Sequence, residues 1–208
     1  LNKINLELDE IGSPLKFLWN KCKLETVSYG HGITTTPLQA ASAYASISNG
    51  GIVVNPTLIK NKTMNSKTKR IVSLKTSKNI NNMLREVVVS ADGTASLAEV
   101  NGYYVGGKTG TANKNINGEY TSKKLTSFIS VFPTNNPKYL LLTLIDEPKP
   151  APELVYNYRG NKITGIHRNE SGWNSAYVAG KIIEKIGPIL AINKNDFYDN
   201  YVVKKSDW

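Results

Sequence analysis

The 208-residue chain is 40% hydrophobic and 20% charged, a balance that suits a soluble globular protein with one sizeable core. No apolar run reaches the ~18 residues that span a bilayer, and the opening LNKINLELDEIGSP lacks the basic-then-apolar order of a signal peptide. The net charge of +10 would suit nucleic acid, but the lysines are scattered without a basic helix face or a basic–aromatic stripe, so no nucleic-acid partner is expected.

In chain order, Leu1 is not a natural initiator, which predicts a fragment or a processed product. Cys22 is the only cysteine, so no internal disulfide is possible, and it reads as a small buried hydrophobe. Thr36-Pro37-Leu38-Gln39 combines an N-cap, a first-turn proline and a capping box, and opens a helix with Leu38, Ala41, Tyr44 and Ile47 on one stripe. Asn49-Gly50-Gly51 ends it. The spacing of Ile80, Met83, Leu84, Val87 and Val88 predicts a second helix over 76–89, followed by a short helical piece from Thr94 to Glu99.

Strand signals follow. Tyr103-Tyr104-Val105 is β-prone and leads into Gly106-Gly107-Lys108-Thr109-Gly110-Thr111. Asn117-Gly118 marks a hairpin, and Leu125 to Phe132 and Tyr139 to Ile145 are apolar runs. Together these predict three successive antiparallel strands. Residues 146–172 read as a long polar loop of the kind that often carries function, and 174–186 as a helix burying Ala176, Ala179, Gly180 and Ile183. The predicted class is α+β, with helices packed on an antiparallel sheet, over residues 1–192; 193–208 reads as an irregular tail.

Gly102 to Thr109 also fits the P-loop pattern G-x-x-x-x-G-K-[ST]. A P-loop needs a helix straight after it, whereas here Gly-Thr-Ala-Asn-Lys-Asn-Ile-Asn-Gly follows. Leu140 to Glu147 imitates a Walker B strand but lacks β–α alternation, so a P-loop NTPase is only a remote alternative. An edge strand bearing Lys-Thr-Gly makes other chemistry available: a cation, a hydroxyl donor, and bare backbone at Gly110 where an extended ligand can pair.

Val27-Ser-Tyr-Gly-His-Gly-Ile-Thr-Thr-Thr-Pro-Leu-Gln39, then Asn49-Gly50-Gly51, Lys108-Thr-Gly-Thr-Ala112, Asp146-Glu147-Pro148 and Gly172-Trp-Asn-Ser-Ala176 occur in the order seen in class B penicillin-binding proteins. From about 24 to 192 the chain resembles the C-terminal part of their transpeptidase domain, most of all that of the division-type peptidoglycan D,D-transpeptidases. The resemblance implies a β-lactamase/transpeptidase-like fold and no cofactor or metal. It implies that Lys108, Thr109, Gly110 and Thr111 bind substrate, with Lys108 and Thr111 catalytic: Lys108 by its positive potential, Thr111 by giving its N–H to an oxyanion hole. It further implies D-Ala-D-Ala stem peptides and β-lactams as ligands, divisome proteins and an upstream half of the domain as partners, and the periplasmic face of the inner membrane as location. His31 stands where the family more often has an aromatic residue, and both it and His167 read as packing or solvated positions.

These enzymes use a serine nucleophile in S-x-x-K and a second motif S-x-N before K-T-G. Ser13-Pro-Leu-Lys16, Ser66-Lys-Thr-Lys69 and Ser77-Lys-Asn79 match the patterns by letter, but their positions relative to Tyr29 to Gln39 are wrong. Ser77 reads as a helix-start cap. The expectation is that the nucleophile lies outside this chain, that the chain alone is inactive, and that it self-associates through apolar surface. A non-catalytic cell-wall or protein interaction module is the alternative.

Overall fold

A computed structural model of the chain describes residues 21–30, 32–60 and 69–190, with isolated positions 4, 6, 7, 14, 18 and 19. Its helices are α1 (Lys23–Ser28), α2 (Pro37–Ser48), α3 (Leu74–Val89) and α4 (Ser175–Ile186). Its strands are β1 (Gly106–Ile116), β2 (Glu119–Phe132), β3 (Tyr139–Asp146), β4 (Tyr156–Tyr158) and β5 (Asn161–Ile163), with 3-10 turns at Ser96–Ala98 and Ser171–Trp173.

The capping box at α2 forms as predicted: Gln39 N donates to Thr36 Oγ1 at 3.2 Å and Thr36 N to Gln39 Oε1 at 2.9 Å. Each bond removes an orphan donor of the first turn. The next helix starts earlier than its apolar spacing suggested, because Ser73 is the N-cap and accepts from Thr76 N. Ser77 is therefore not a cap. It is fully buried, accepts from Gly50 N at 3.0 Å and donates to Ser48 O at 3.2 Å, tying α3 to the end of α2. Cys22 is also corrected: it is exposed and sits at φ 63° ahead of α1 rather than in a core.

β1, β2 and β3 form an antiparallel meander in that spatial order, which leaves β1 at one edge. The hairpin turns at Asn117 and Gly118, both at positive φ (54° and 92°), the geometry of a two-residue primed turn. Register places Thr109 beside Phe128 and Thr143, and Lys108 beside Ile129 and Leu142. Successive side chains take opposite faces, so the two motif residues look opposite ways.

The Phe128 face is covered by α4 and the second 3-10 turn. Its core joins Phe128, Phe132, Val88, Val105 and Tyr103 to Ala176, Ala179 and Ile183. Complete burial of a side chain such as Phe128 or Ile183 contributes about 1.5–3 kcal/mol. The small Ala176 and Ala179 let α4 lie close, and a polar seam fixes its start: Thr126 Oγ1 lies 2.8 Å from Asn174 Oδ1, and Thr143 Oγ1 donates to Ser175 O at 2.9 Å. The opposite face is approached by α2 and retains Leu125 and Leu144 at 41% and 42% exposure.

Two segments differ from the sequence reading. Tyr103 to Val105 is not strand; Tyr104 has φ 47°, and its carbonyl accepts from Thr134 N and Oγ1 instead of entering a ladder. Residues 146–172 are not irregular throughout, since β4 and β5 pair as a short hairpin within them. The tail 193–208 lies outside the described residues.

Candidate functional site

β1 carries Lys108 to Thr111 along an edge that has no further strand beside it among the described residues. Lys108 is exposed, and its Nζ donates to Thr109 O at 2.7 Å. A carbonyl reached in this way faces the open edge rather than β2. In an antiparallel strand the N–H and C=O of one residue point to the same side, and the side alternates along the chain. The Thr111 N–H and C=O therefore also face outward, available to an extended ligand. Gly110, between them, sits on the Lys108 face, where an added Cβ would come within 2.5 Å of Ser127 Oγ.

The two threonine hydroxyls project to the other face and are held by different parts of the chain. Thr109 Oγ1 is 2.9 Å from Thr94 Oγ1. Thr111 Oγ1 accepts from Ser171 N at 3.0 Å, while buried Ser171 donates its own hydroxyl to Ser127 O at 2.5 Å. A hydroxyl that accepts from an N–H keeps its proton to donate, so Thr111 remains a donor toward an anion. Thr94, Thr109, Thr111, Tyr158, Arg168 and Trp173 line a groove of about 500 Å³. A larger hollow of about 610 Å³ lies between α3, α4 and the β4–β5 hairpin and contains none of the predicted site residues.

Beyond Thr111 the strand is held by charge. Lys114 Nζ lies 2.9 Å from Asp146 and 3.0 Å from Glu147, and Lys123 lies 3.2 Å from Glu147. Hydrogen bonds from Lys114 and Lys123 hold the Glu147 carboxyl below its ordinary range, and those to Asp146 and Glu147 raise Lys114. Both groups are solvent-accessible, so this is a surface network.

Thr94, Ser171, Arg168 and Trp173 join the site without having been singled out as site residues by sequence; the length of the 146–172 loop pointed toward Arg168 and Ser171, the Gly172 to Ala176 run contained Trp173, and nothing pointed to Thr94. Among the serine decoys, Ser77 is buried in a structural network, and Ser13 and Ser66 lie outside the described residues, as does His31. His167 is exposed on the loop. The P-loop alternative fails here: Lys108 and Thr109 lie inside an antiparallel edge strand that continues to Ile116, where a P-loop needs a helix. Among the described residues no cluster of three or more potential metal-ligating His, Cys, Asp or Glu occurs, and no helix is long and apolar enough to cross a membrane.

The sequence profile of the penicillin binding protein transpeptidase domain matches residues 3–168. A peptidoglycan D,D-transpeptidase FtsI homolog of Mesostigma viride is 36% identical over 177 residues, covering 73% of this chain and 29% of that protein. The solved transpeptidase domain of Burkholderia pseudomallei penicillin-binding protein 3 superposes with a TM-score of 0.66 at 28% identity, over 85% of this chain and 49% of that one. Penicillin binding protein 3 of Mycobacterium tuberculosis, solved with ampicillin, gives 0.63 at 25% identity over 81% of this chain and 39% of its own. The chain spans about a third of the length of the curated relatives it matches.

Proposed function

The chain belongs to the penicillin-binding protein transpeptidase domain family, and on that premise we propose that it forms the substrate-clamping wall of a division-type peptidoglycan D,D-transpeptidase. The observation that supports this most is a Lys-Thr-Gly-Thr run on an open strand edge, with both threonine hydroxyls lining one groove.

In this reading a stem peptide ending in D-Ala-D-Ala lies along β1 as an added strand, using the outward backbone groups of Thr109 and Thr111. Its terminal carboxylate takes the Thr109 and Thr111 hydroxyls, with Lys108 supplying positive potential. The penultimate carbonyl meets the Thr111 N–H, one arm of an oxyanion hole; loss of such a donor costs roughly 10²–10³ in rate. The serine nucleophile belongs to the part of the domain this chain does not cover. Its oxygen bonds to the carbonyl carbon, the amide C–N bond breaks, and the terminal D-Ala leaves carrying the proton. An amine of a neighbouring strand then takes the acyl group and frees the serine. A β-lactam acylates the same serine by ring opening. Neither route calls for a metal or cofactor. The parent protein acts outside the cytoplasm, anchored at the inner membrane and working with division proteins. The isolated chain self-associates through the Leu125 and Leu144 face.

Fluorescent penicillin tests this. The chain alone should take no covalent label, whereas the chain combined with the upstream half of its domain should label on a serine of that half. Lys108→Ala should slow the labelling by about a hundredfold or more, consistent with loss of a transition-state contact. Serine-linked label on the isolated chain would overturn the assignment. D-Ala-D-Ala peptide binding that survives Lys108→Ala would instead favour a non-catalytic interaction module.

A further inference from the structure

The larger hollow, between α3, α4 and the β4–β5 hairpin, has an apolar lining. Buried Val88 and Leu97 form its floor, and Val89 and Val155 stand at its rim with 48% and 55% exposure. On the α4 wall the Tyr177 ring meets Tyr156 of β4 edge-on at 5.1 Å. At about 610 Å³ the hollow has room for several side chains. Its acidic groups are already committed: Glu99 Oε1 accepts from Arg85 at 2.8 Å, and Glu184 lies 2.9 Å from Lys181. Arg159 lies 5.1 Å from the Tyr158 ring centroid and donates to Ser90 O and Gly93 O at 3.2 and 3.3 Å. It has no carboxylate within ion-pair distance among the described residues. An apolar floor beside an uncompensated guanidinium suits an occupant that brings aromatic side chains and an acid.

Residues 191–208 of this chain have that chemistry. They contain Phe197, Tyr198, Tyr201 and Trp208, four aromatic residues in eighteen against 9% for the whole chain, and Asp196 and Asp199 flank the Phe-Tyr pair. Such a composition is unlike the aromatic-poor one of a solvated linker. The distances also fit. The α4 wall of the hollow runs from Glu184 back to Tyr177. Leu190, packed on the core with its carbonyl 3.1 Å from the Tyr139 hydroxyl, lies six residues beyond Glu184. At about 1.5 Å per helical residue, Tyr177 is ~20 Å back from Leu190. Residues 191–197, when extended, reach roughly 23–25 Å. That reach brings Phe197 and Tyr198 to the Tyr177 end of the hollow, and Asp199 to the hairpin that carries Arg159.

We propose that residues 196–199 of the same chain dock in this hollow, with Phe197 and Tyr198 on its apolar floor and Asp199 on the Arg159 guanidinium. The carbonyls held by Arg159 lead directly into Thr94, whose hydroxyl lies 2.9 Å from that of Thr109. The docked segment therefore braces the loop that orients the threonine clamp. This contact goes beyond the proposed function and does not depend on it.

A paramagnetic tag on the full ¹⁵N-labelled chain tests the docking. Cys22 is the only cysteine, so Asn200→Cys in a Cys22→Ser background gives one attachment point. Most of the amide signal of Val100, Asn101, Val155 and Asn157 should be lost, while that of Gly118 at the β1–β2 turn is kept. Phe197→Ser with Tyr198→Ser should restore the lost signals, and Asp199→Asn should restore part of them. These changes lie outside the packed core, so the fold is retained for the comparison. An unchanged pattern in either variant overturns the inference, as does loss that Gly118 shares or no loss at the hollow. A mixture of tagged, unlabelled chain with untagged ¹⁵N chain identifies a second copy as occupant. Loss at the hollow as strong in that mixture as in the singly tagged chain overturns docking within one chain; its absence there supports it.

Discussion

Arg85 joins α3 to the approach of β1, and its truncation separates two effects of different size. Its Nη1 donates to Val105 O at 2.6 Å, its Nη2 to Glu99 Oε1 at 2.8 Å, and its guanidinium lies 5.3 Å from the Tyr104 ring centroid. Val105 is fully buried and precedes the first residue of β1, so its carbonyl has no ladder bond to fall back on. Leaving that carbonyl unpaired costs about 1–3 kcal/mol. The Glu99 pair is partly exposed, at 22% and 38% for the two side chains, and is worth roughly 0–1 kcal/mol. The aromatic contact adds about 0.5–1 kcal/mol. Arg85→Ala should therefore lose about 1.5–5 kcal/mol, and Glu99→Gln less than about 1 kcal/mol. At roughly 2–4 °C per kcal/mol for a chain of this size, the first variant should melt at least about 3 °C lower. Urea titration of the two variants with the native chain measures the difference, and the Lys108 amide should shift only in Arg85→Ala. Equal losses in the two variants would refute the reasoning, because the ion pair and not the buried carbonyl would then dominate.

Ser77→Ala removes the acceptor of Gly50 N, while Ser48 O keeps its second donor, Asn81 Nδ2 at 2.9 Å; the unpaired Gly50 N–H should cost about 1–3 kcal/mol in denaturant while penicillin labelling of the assembled domain is unaffected. Gly172→Ala places a methyl against the Thr94 carbonyl well inside contact distance. It should destabilise by about 1–3 kcal/mol and shift the Thr94 and Thr109 resonances together. Acid should weaken the far end of β1. The Glu147 carboxyl is depressed in the folded chain, so its contribution is present above the unfolded value near 4.5 and is lost as pH falls through the folded one. Lys114→Met should flatten that acid limb, as read by urea midpoints across pH. Light scattering at rising concentration should show self-association, and Leu125→Lys with Leu144→Lys should suppress it.

The helices and the meander were legible because their signals are local. Thr36 with Gln39, Asn117 with Gly118, and the apolar periods of α3, β2 and α4 each act within a few residues. Ser77 was misread for the opposite reason: its partners Ser48 and Gly50 lie at the end of α2 and in the turn after it, and nothing in its neighbours announces them. Cys22 was misread through a base-rate expectation about thiols that its backbone conformation overrides. At the site, Lys108 to Thr111 stood out as a contiguous motif. Thr94, Ser171 and Arg168 reach it from three separate segments, and no spacing rule connects them. The three-residue strands β4 and β5 are too short to show alternation, so the hairpin that carries Tyr158 was hidden inside a loop.

The bond from Ser171 N to Thr111 Oγ1 spans 60 residues of sequence. The meander can pair through hairpins as it emerges, but the hydroxyl that completes the clamp is oriented only after the intervening 60 residues have closed on themselves. At about 5–20 residues per second of synthesis that segment emerges seconds after β1, whereas a hairpin forms in microseconds. During synthesis the binding edge should thus exist before it is able to hold a ligand firmly. Maturation of the groove becomes the last local event of folding, timed by the arrival of the segment just ahead of α4.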